Sequence, residues 1–397
     1  MISVDEAVGR IARAFAPVGS ERVPIQSAAC RVLSEDITAR FDQPPAPMSA
    51  MDGYAVRAAD AKLDAELSVV GVSPAGKPFV GQVHAGQAVR IFTGGVVPEG
   101  ADAVVLQEDV QARENHIRVK EAPPLGDNVR ARGLDFRAGD ILLTRGHRIS
   151  PRDVALLAGA DLALVPVSKK PRVALVATGD ELSRPGETRK DGGIVASSIY
   201  AVRAMVEVWG GTAVDMGILP DRNDAFASLA KDVEHADLIV TMGGASVGDH
   251  DLVQSALAPH GFVLDFWKIA MRPGKPLIFG RLNKTPLLGL PGNPVSTMVC
   301  AVLFLAPIMA AMLGTPYAPP LAKARLTSSL RANGKRQDYL RAKLTRTNGV
   351  LTVEPFALQD SSMQKVFAEA DALIVRPVHA PSAQAGDVVD VLLLDNC

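Results

Sequence analysis

One stretch sets the architecture of this chain: Asp237-Leu-Ile-Val-Thr-Met-Gly-Gly-Ala-Ser-Val-Gly-Asp-His-Asp251. Its apolar run at 238–240 predicts a buried strand, the glycines that follow predict a loop, and 249–257 predicts a helix. Such a loop offers an anion backbone N–H groups and the positive end of a helix dipole, and glycine permits close approach. Many turns of this kind bind nothing, so phosphate-type binding and ordinary turn chemistry are both open interpretations. The loop residues concerned are Gly243, Gly244, Ser246 and Gly248.

On either side of this stretch, strand and helix patterns alternate from a composition change at Ser168-Lys-Lys-Pro-Arg172 onward. This alternation is typical of an α/β domain with a parallel sheet. Strands are predicted over 173–177, 213–218, 238–240, 262–267, 277–279 and 286–288, and helices over 199–209, 224–234 and 249–257.

Polar residues follow the predicted strands at their carboxyl ends. Thr178-Gly-Asp-Glu181 follows the first strand, Asp221 the second, and the glycine loop the third. Because open α/β sheets bind ligands at this edge, we expect the three loops to form one site. Asp180 or Asp221 serving as a helix cap is the alternative.

Two further segments suit an anionic ligand. Lys268, Arg272 and Lys275 place three cations within eight residues, which suits phosphate oxygens, although a solvated loop is equally open. The turn Gly289-Leu-Pro-Gly-Asn-Pro-Val-Ser296 follows, and Pro294 suits the first position of a helix whose free N–H groups face outward.

The helix predicted over 295–313 is almost wholly apolar and, at about 1.5 Å per residue, is nearly long enough to cross a bilayer. Ser296, Thr297 and Pro307 interrupt it, and no lysine or arginine lies close to its ends. A buried core helix or a subunit-interface helix is therefore the preferred interpretation, and no membrane association is expected.

Outside the α/β domain the patterns are short strands broken by glycine and proline. We predict an α/β plus β chain of four parts: an N-terminal linker and dimerisation domain (1–40 and 138–168), a small β-rich domain (41–137), the α/β domain (169–316) and a C-terminal barrel-like β domain (317–397). Ser150 and Pro151 predict a helix start, and the irregular stretch 359–363 is expected to reach back toward the site.

Composition narrows the class of protein. The chain has 397 residues, is 48% hydrophobic and carries a net charge of -1, which argues against a nucleic-acid-binding protein that depends on positive charge. Its three cysteines are widely separated and predict neither a disulfide framework nor a cysteine-rich zinc site. No signal-peptide pattern opens the sequence, so a cytoplasmic location is expected.

Six motifs in order resemble the molybdopterin molybdenumtransferase (MoeA) family, to which the gephyrin E domain belongs. They cover nearly the whole chain: Ser49-Ala-Met-Asp-Gly-Tyr-Ala-Val56, Thr93-Gly with Pro98-Glu-Gly-Ala-Asp-Ala-Val104, Thr178-Gly-Asp-Glu-Leu182, Gly243-Gly-Ala-Ser-Val-Gly248 with Asp251, Arg272-Pro-Gly-Lys-Pro276, and Leu290-Pro-Gly-Asn-Pro-Val-Ser296. Taken singly, Asp52-Gly53 and Gly94-Gly95 are ordinary turn dipeptides.

The resemblance implies an elongated homodimer that inserts molybdate into adenylylated molybdopterin, releases AMP and forms molybdenum cofactor with the help of Mg²⁺. It places the site between the α/β domain of one subunit and the small β domain of the other. It also implies as partners the molybdopterin adenylyltransferase and the molybdoenzymes that accept the cofactor.

Carried over by position, the resemblance assigns roles to residues of this chain. The implied catalytic residues are Asp52, Thr93, Asp135, Glu181, Asp221 and Asp251, of which Glu181, Asp221 and Asp251 are the implied metal ligands. The implied substrate-binding residues are Gly243, Gly244, Ser246, Gly248, Lys268, Arg272, Lys275, Pro291, Pro294, Ser296, Arg130, Arg341 and Ser361. The chain departs from many relatives in Ala131 beside Arg130, in arginine rather than lysine at Arg272, and in Asp360 before Ser361.

Two other functions share this fold: the adenylyltransferase reaction, and a non-catalytic molybdopterin-binding scaffold. The intact acidic positions favour an enzyme over a scaffold, and the long N-terminal half favours the insertion reaction over adenylyl transfer. A preference for molybdate over tungstate does not follow from the sequence.

Overall fold

The computed structural model describes residues 1–222, 225, 226, 229, 232, 233, 235–244 and 252–394, with only the backbone at 252–254. Predicted residues Ser246, Gly248 and Asp251 lie outside this range, as do most of the predicted helix 224–234 and the start of the helix predicted at 249.

A six-stranded sheet forms the centre of the molecule, in the order β2-β1-β3-β6-β5-β4. Four strands (β2, β1, β3 and β6) are parallel, and the cores of β1, β3 and β6 are apolar because both faces of the sheet are covered there. The strands are β1 (Arg172–Thr178), β2 (Thr212–Leu219), β3 (Leu238–Met242), β4 (Phe262–Trp267), β5 (Ile278–Leu282) and β6 (Thr285–Leu290).

The predicted α/β fold is confirmed, but the sheet is mixed rather than wholly parallel. Strand β5 runs antiparallel to both of its neighbours, β4 and β6. Only two residues join β5 to β6, and Asn283 among them adopts a left-handed φ of +54°. So short a connection closes a hairpin, whereas a parallel crossover needs a dozen residues or more.

Helices cover the sheet and share its cores. The first helix, Val4–Arg13, contributes Val4, Ala7 and Ile11 to the same apolar cluster as the central strands, so it packs on the α/β domain. The other helices of this domain that the structure describes are Ser198–Val208, Leu252–Leu257 and a long helix made of Pro294–Cys300, a π-helical segment Ala301–Leu305 and Ala306–Leu313.

The long helix over residues 294–313 is apolar and long enough to cross a membrane by those two criteria alone. In this chain 78% of its most apolar window is buried, with Phe304 and Ile308 fully inside the central cluster. Burial in the protein core accounts for its composition, as predicted.

Two short sheets and a helix build the N-terminal region. Ser150 caps the helix Pro151–Gly159 in a capping box with Asp153, which confirms the predicted helix start. The strands pair as Ser20–Pro24 with Leu164–Ser168 and Ile37–Thr38 with Ile141–Leu143.

The small β-rich region contains one six-stranded sheet and one short pair. Its sheet strands are Gly53–Val56, Glu66–Ser73, Gln87–Ile91, Ala103–Leu106, Val110–Arg113 and His116–Val119, and the pair is Met48–Ser49 with Val129–Arg130.

The C-terminal region closes into a barrel of five strands, because Gln337–Thr347 pairs with Ala372–Arg376 as well as with Val350–Pro355. Met271–Arg272 adds to this barrel from the α/β domain. The remaining strands are Leu321–Leu326 and Val388–Leu393, and a helix spans Gln364–Glu369. The exact domain limits stay predictions.

Candidate active site

The loops at the carboxyl ends of the parallel strands meet in one cleft of about 900 Å³. Its lining includes Thr178 and Glu181 after β1, Asp221 after β2, Gly243 and Gly244 after β3, and Pro291, Pro294 and Ser296 after β6. The structure therefore brings together the loops that were expected to meet, and adds the turn after β6 to them.

The floor of the cleft depends on a close approach between Thr178 and Gly243. Gly243 has a left-handed φ of +96°, and a Cβ there would lie 2.6 Å from the carbonyl oxygen of Thr178. Thr178 is 4% exposed, and its hydroxyl has no hydrogen-bond partner within the described part of the chain. The same holds for the Ser197 hydroxyl, which also lines the cleft. Two cleft-lining residues thus carry buried hydroxyls without a partner in the described part of the chain.

Acidic side chains interact at one end of the cleft. Loss of hydration against the surrounding loops raises the pKa of Asp221, and repulsion from Asp180 and Glu181 raises it further. A divalent cation would relieve this repulsion, and carboxylate oxygens are the ligands that Mg²⁺ prefers. No group of three potential ligands close enough to hold a metal is found among the described residues, which exclude Asp251. The fit to the implied metal thus rests on donor type: Glu181 and Asp221 both offer carboxylate oxygens.

The turn after β6 is held from both sides. The Thr297 hydroxyl donates to the carbonyl oxygens of Pro291 and Asn293, at 2.6 and 3.1 Å. The Asn293 amide donates to the Ser361 hydroxyl at 3.0 Å, and the Val295 N–H donates to the Ser361 carbonyl at 3.1 Å. The segment 359–363 thus contacts the turn that lines the cleft.

The predicted cations Lys268, Arg272 and Lys275 do not line the cleft. Arg272 forms an ion pair with the buried Asp338, and the ammonium group of Lys268 lies 3.6 Å from the centre of the Trp267 ring. Lys275 precedes Pro276, which does line the cleft.

Arg341 is almost completely buried. It donates from Nε to the side chain of Gln359 at 3.0 Å and from Nη1 to the carbonyl of Asp360 at 2.7 Å. Its visible contacts hold the segment that carries Ser361.

Four predicted site residues belong to the small β-rich region, and none of them lines this cleft of the same chain. Asp52 and Thr93 are joined, because Asp52 Oδ1 accepts from the Thr93 N–H at 2.7 Å and from its hydroxyl at 2.8 Å. These two bonds, followed by the charge of Arg90, lower the pKa of Asp52. Arg130 lies in the strand pair with Met48, and the Asp135 N–H donates to the carbonyl of Gln43.

Several cleft-lining residues were not singled out from the sequence: Arg189, Ser197, Asn293, Ser362 and Gln364. Arg189 lies in a polar, glycine-containing segment between two short strands, where a lone arginine gives no signal. Asn293 lies between Pro291 and Pro294 in a motif whose prolines and glycines predict a turn, and nothing in that pattern marks the asparagine as a binding residue.

Comparison with known proteins identifies the family. Residues 2–160 match the family description "MoeA N-terminal region (domain I and II)", residues 174–311 match "Probable molybdopterin binding domain", and residues 323–394 match "MoeA C-terminal region (domain IV)". The chain is 35% identical over 398 residues to the molybdopterin molybdenumtransferase of Haemophilus influenzae, covering 98% of both chains. It belongs to the molybdopterin molybdenumtransferase family, or MoeA family.

Other MoeA-family members agree with this identification. The molybdopterin molybdenumtransferase of Bacillus subtilis is 35% identical over 405 residues, which cover 99% of this chain and 94% of the relative. A solved structure titled as the molybdopterin biosynthesis MoeA protein of Pyrococcus horikosii superimposes with a TM-score of 0.89, at 30% identity and with 100% of both chains covered.

Proposed function

We propose that this chain inserts molybdate into adenylylated molybdopterin, with hydrolysis by water of the phosphoanhydride that joins AMP to the pterin phosphate, so that AMP leaves and molybdenum cofactor forms. The observation that carries the proposal is the cleft itself. Four loops at strand ends, two buried free hydroxyls and two cleft carboxylates line it, in a chain similar over its full length to enzymes of that name.

The substrates are anionic, and the chain offers several kinds of group to bind them. The long helix begins at the turn after β6, and this puts the positive end of its dipole at the cleft. The Thr178 and Ser197 hydroxyls supply uncharged donors inside the cleft. Lys268, Arg272, Lys275 and Arg341 are proposed to supply the positive charge that favours the departure of a phosphate-bearing group.

Glu181 and Asp221, with Asp251, are proposed to hold Mg²⁺. When bound, the ion neutralises charge on the phosphate oxygens. The chain's own part is to keep both carboxylates ionised and oriented. Because the pKa of Asp221 is raised, this condition is met less completely as the pH falls.

We further propose a homodimer in which Asp52, Thr93, Asp135 and Arg130 complete the cleft of the partner. This is supported by their position outside the cleft lining of their own chain. A cytoplasmic location and contact with the adenylyltransferase and with cofactor-accepting molybdoenzymes complete the proposal.

The test is AMP release from adenylylated molybdopterin by the purified full-length protein in Mg²⁺, with and without molybdate. We expect release that depends on molybdate, is lost in Asp52→Ala and Glu181→Ala, and is retained in Asp191→Ala. The control removes an exposed carboxylate of the same domain that does not line the cleft. Binding of the adenylylated pterin without any AMP release would instead support the scaffold function.

A further inference from the structure

Arg90 lies on the same face of the small β-rich sheet as the Asp52 turn. Arg90 lies directly opposite Tyr54 on the neighbouring strand. Asp52 comes two residues before Tyr54, and Phe92 comes two residues after Arg90. Since side chains two apart along a strand share a face, the sheet places these four side chains together at one end.

The guanidinium of Arg90 is held by four contacts. Its central carbon lies 4.9 Å from the ring centres of both Tyr54 and Phe92. Nη1 donates to the carbonyl of Gly53 at 3.0 Å, and Nη2 donates to the side chain of Gln107 at 2.7 Å. An arginine with two aromatic contacts and two directed hydrogen bonds is fixed in position, unlike a solvated surface arginine.

These contacts lie close to Asp52 or Thr93, either along the chain or through a hydrogen bond. Gly53 follows Asp52, Phe92 precedes Thr93, and the N–H of Gln107 donates to the carbonyl of Asp52 at 3.2 Å. Arg90 therefore joins the segment that carries Asp52 to the segment that carries Thr93. The Asp52 carboxylate closes the arrangement by accepting two hydrogen bonds from Thr93.

We infer that Arg90 is a positioning residue for the Asp52 and Thr93 pair: its guanidinium fixes the two segments so that the carboxylate is presented in one orientation. The inference rests on the proposed function, in which that pair completes a catalytic cleft. The positive charge of Arg90 acts in the same direction, because it favours the ionised carboxylate.

The experiment compares Arg90→Gln and Arg90→Lys in the full-length protein, with Arg118→Gln as the matched control. Arg118 is an exposed arginine of the same sheet that pairs with Asp64, far along the strand order from Asp52. We expect Arg90→Gln to lower kcat for molybdate-dependent AMP release by about tenfold, as for a misplaced catalytic group. Arg90→Lys should stay near that lower rate, because an ammonium group cannot reproduce the planar fork. Arg118→Gln should match the wild type.

A second measurement reads the geometry without the reaction. Hydrogen exchange of the Thr93 amide, which donates to Asp52, should accelerate in both Arg90 variants and stay unchanged in Arg118→Gln. Unchanged exchange at Thr93, a wild-type kcat in Arg90→Gln, or full recovery in Arg90→Lys would each overturn the inference. If the wild type releases no AMP, the proposed function fails, while the exchange measurement still decides whether Arg90 positions the pair.

Discussion

At the scale of single residues, the cleft has two local properties: a backbone conformation that favours glycine, and a carboxyl group with a raised pKa. Gly243 combines a left-handed φ of +96° with a backbone approach that leaves no room for a Cβ. Loss of hydration, followed by repulsion from neighbouring carboxylates, raises the pKa of Asp221. Backbone strain and a raised carboxyl pKa both cost stability in the ligand-free protein. Such features are typical of functional sites.

We expect Gly243→Ala to destabilise the protein by about 1–3 kcal/mol, because the new Cβ would lie 2.6 Å from the Thr178 carbonyl oxygen in a strained backbone. Gly192→Ala is the matched control. Its φ is +71°, but nothing lies within 4 Å of its added Cβ, so only the backbone cost of about 1 kcal/mol should appear. Urea unfolding of both variants measures the difference, and equal losses would show that the close approach is not a constraint.

The raised pKa of Asp221 predicts how Mg²⁺ binding depends on pH. A carboxylate must be ionised to bind the cation, so affinity should decline at a higher pH than for an aspartate with its ordinary pKa of 3.8. In Glu181→Gln one repelling charge is absent, so the decline should move to lower pH even though overall affinity is weaker. Calorimetric titration of the full-length protein with Mg²⁺ at a series of acidic pH values measures where the affinity declines in the wild type and in Glu181→Gln. A midpoint that does not move in Glu181→Gln would contradict the assigned coupling.

At the scale of elements, local sequence determines where most helices and strands begin and end. Packing determines which elements lie next to one another. The helix Pro151–Gly159 shows the local side clearly. Ser150 accepts from the Asp153 N–H at 3.3 Å, Asp153 accepts from the Ser150 N–H at 2.7 Å, and His147 adds a contact to Asp153 at 2.8 Å. Although burial opposes ionisation, these bonds lower the pKa of Asp153 to about 2.

Asp153→Asn should therefore lower stability by an amount that depends on pH in a defined way. The pKa of Asp153 in the folded protein lies below the ordinary aspartate pKa of 3.8, so the stabilisation is fully present above pH 3.8 and is lost as the pH falls through about 2. Thermal unfolding at several pH values above 3.8 should show a constant penalty, with Ser150→Ala losing about 1 kcal/mol as the companion variant. A stability penalty that already shrinks between neutral and mildly acidic pH would show that the pKa of Asp153 is not lowered in the folded protein.

The same contrast explains what the sequence could and could not predict. Apolar runs located β1, β2, β3 and β4 within two residues. In β1 and β3 the runs are continuous because these strands are buried on both faces. The reversed direction of β5 depends on the left-handed Asn283 in a two-residue turn, which a periodicity argument does not see. Likewise, the pattern of Val4–Arg13 shows an apolar face but not which core receives it. The contacts of Arg341 with Gln359 and Asp360 depend on how strands far apart in sequence close the barrel.

At the scale of the whole molecule, the carboxylates implied in catalysis are divided between two regions. Glu181 and Asp221 line the cleft, whereas Asp52 is fixed by Arg90 and Thr93 outside the lining of that cleft. The proposed dimer, in which each chain completes the site of the other, would resolve this division. The site would then be a property of the assembly, since the symmetric partner would contribute the same residues in return.

This arrangement predicts recovery of activity on mixing two inactive variants. Asp52→Ala lacks the residue donated to the partner, and Glu181→Ala lacks the residue that lines its own cleft. After equal amounts are unfolded and refolded together, random pairing makes about half of the dimers mixed, and each mixed dimer contains one intact site of two. Molybdate-dependent AMP release should then return to about a quarter of the wild-type value. Refolding each variant alone is the control, and the mixture should stay as inactive as these controls if both residues act within the same chain.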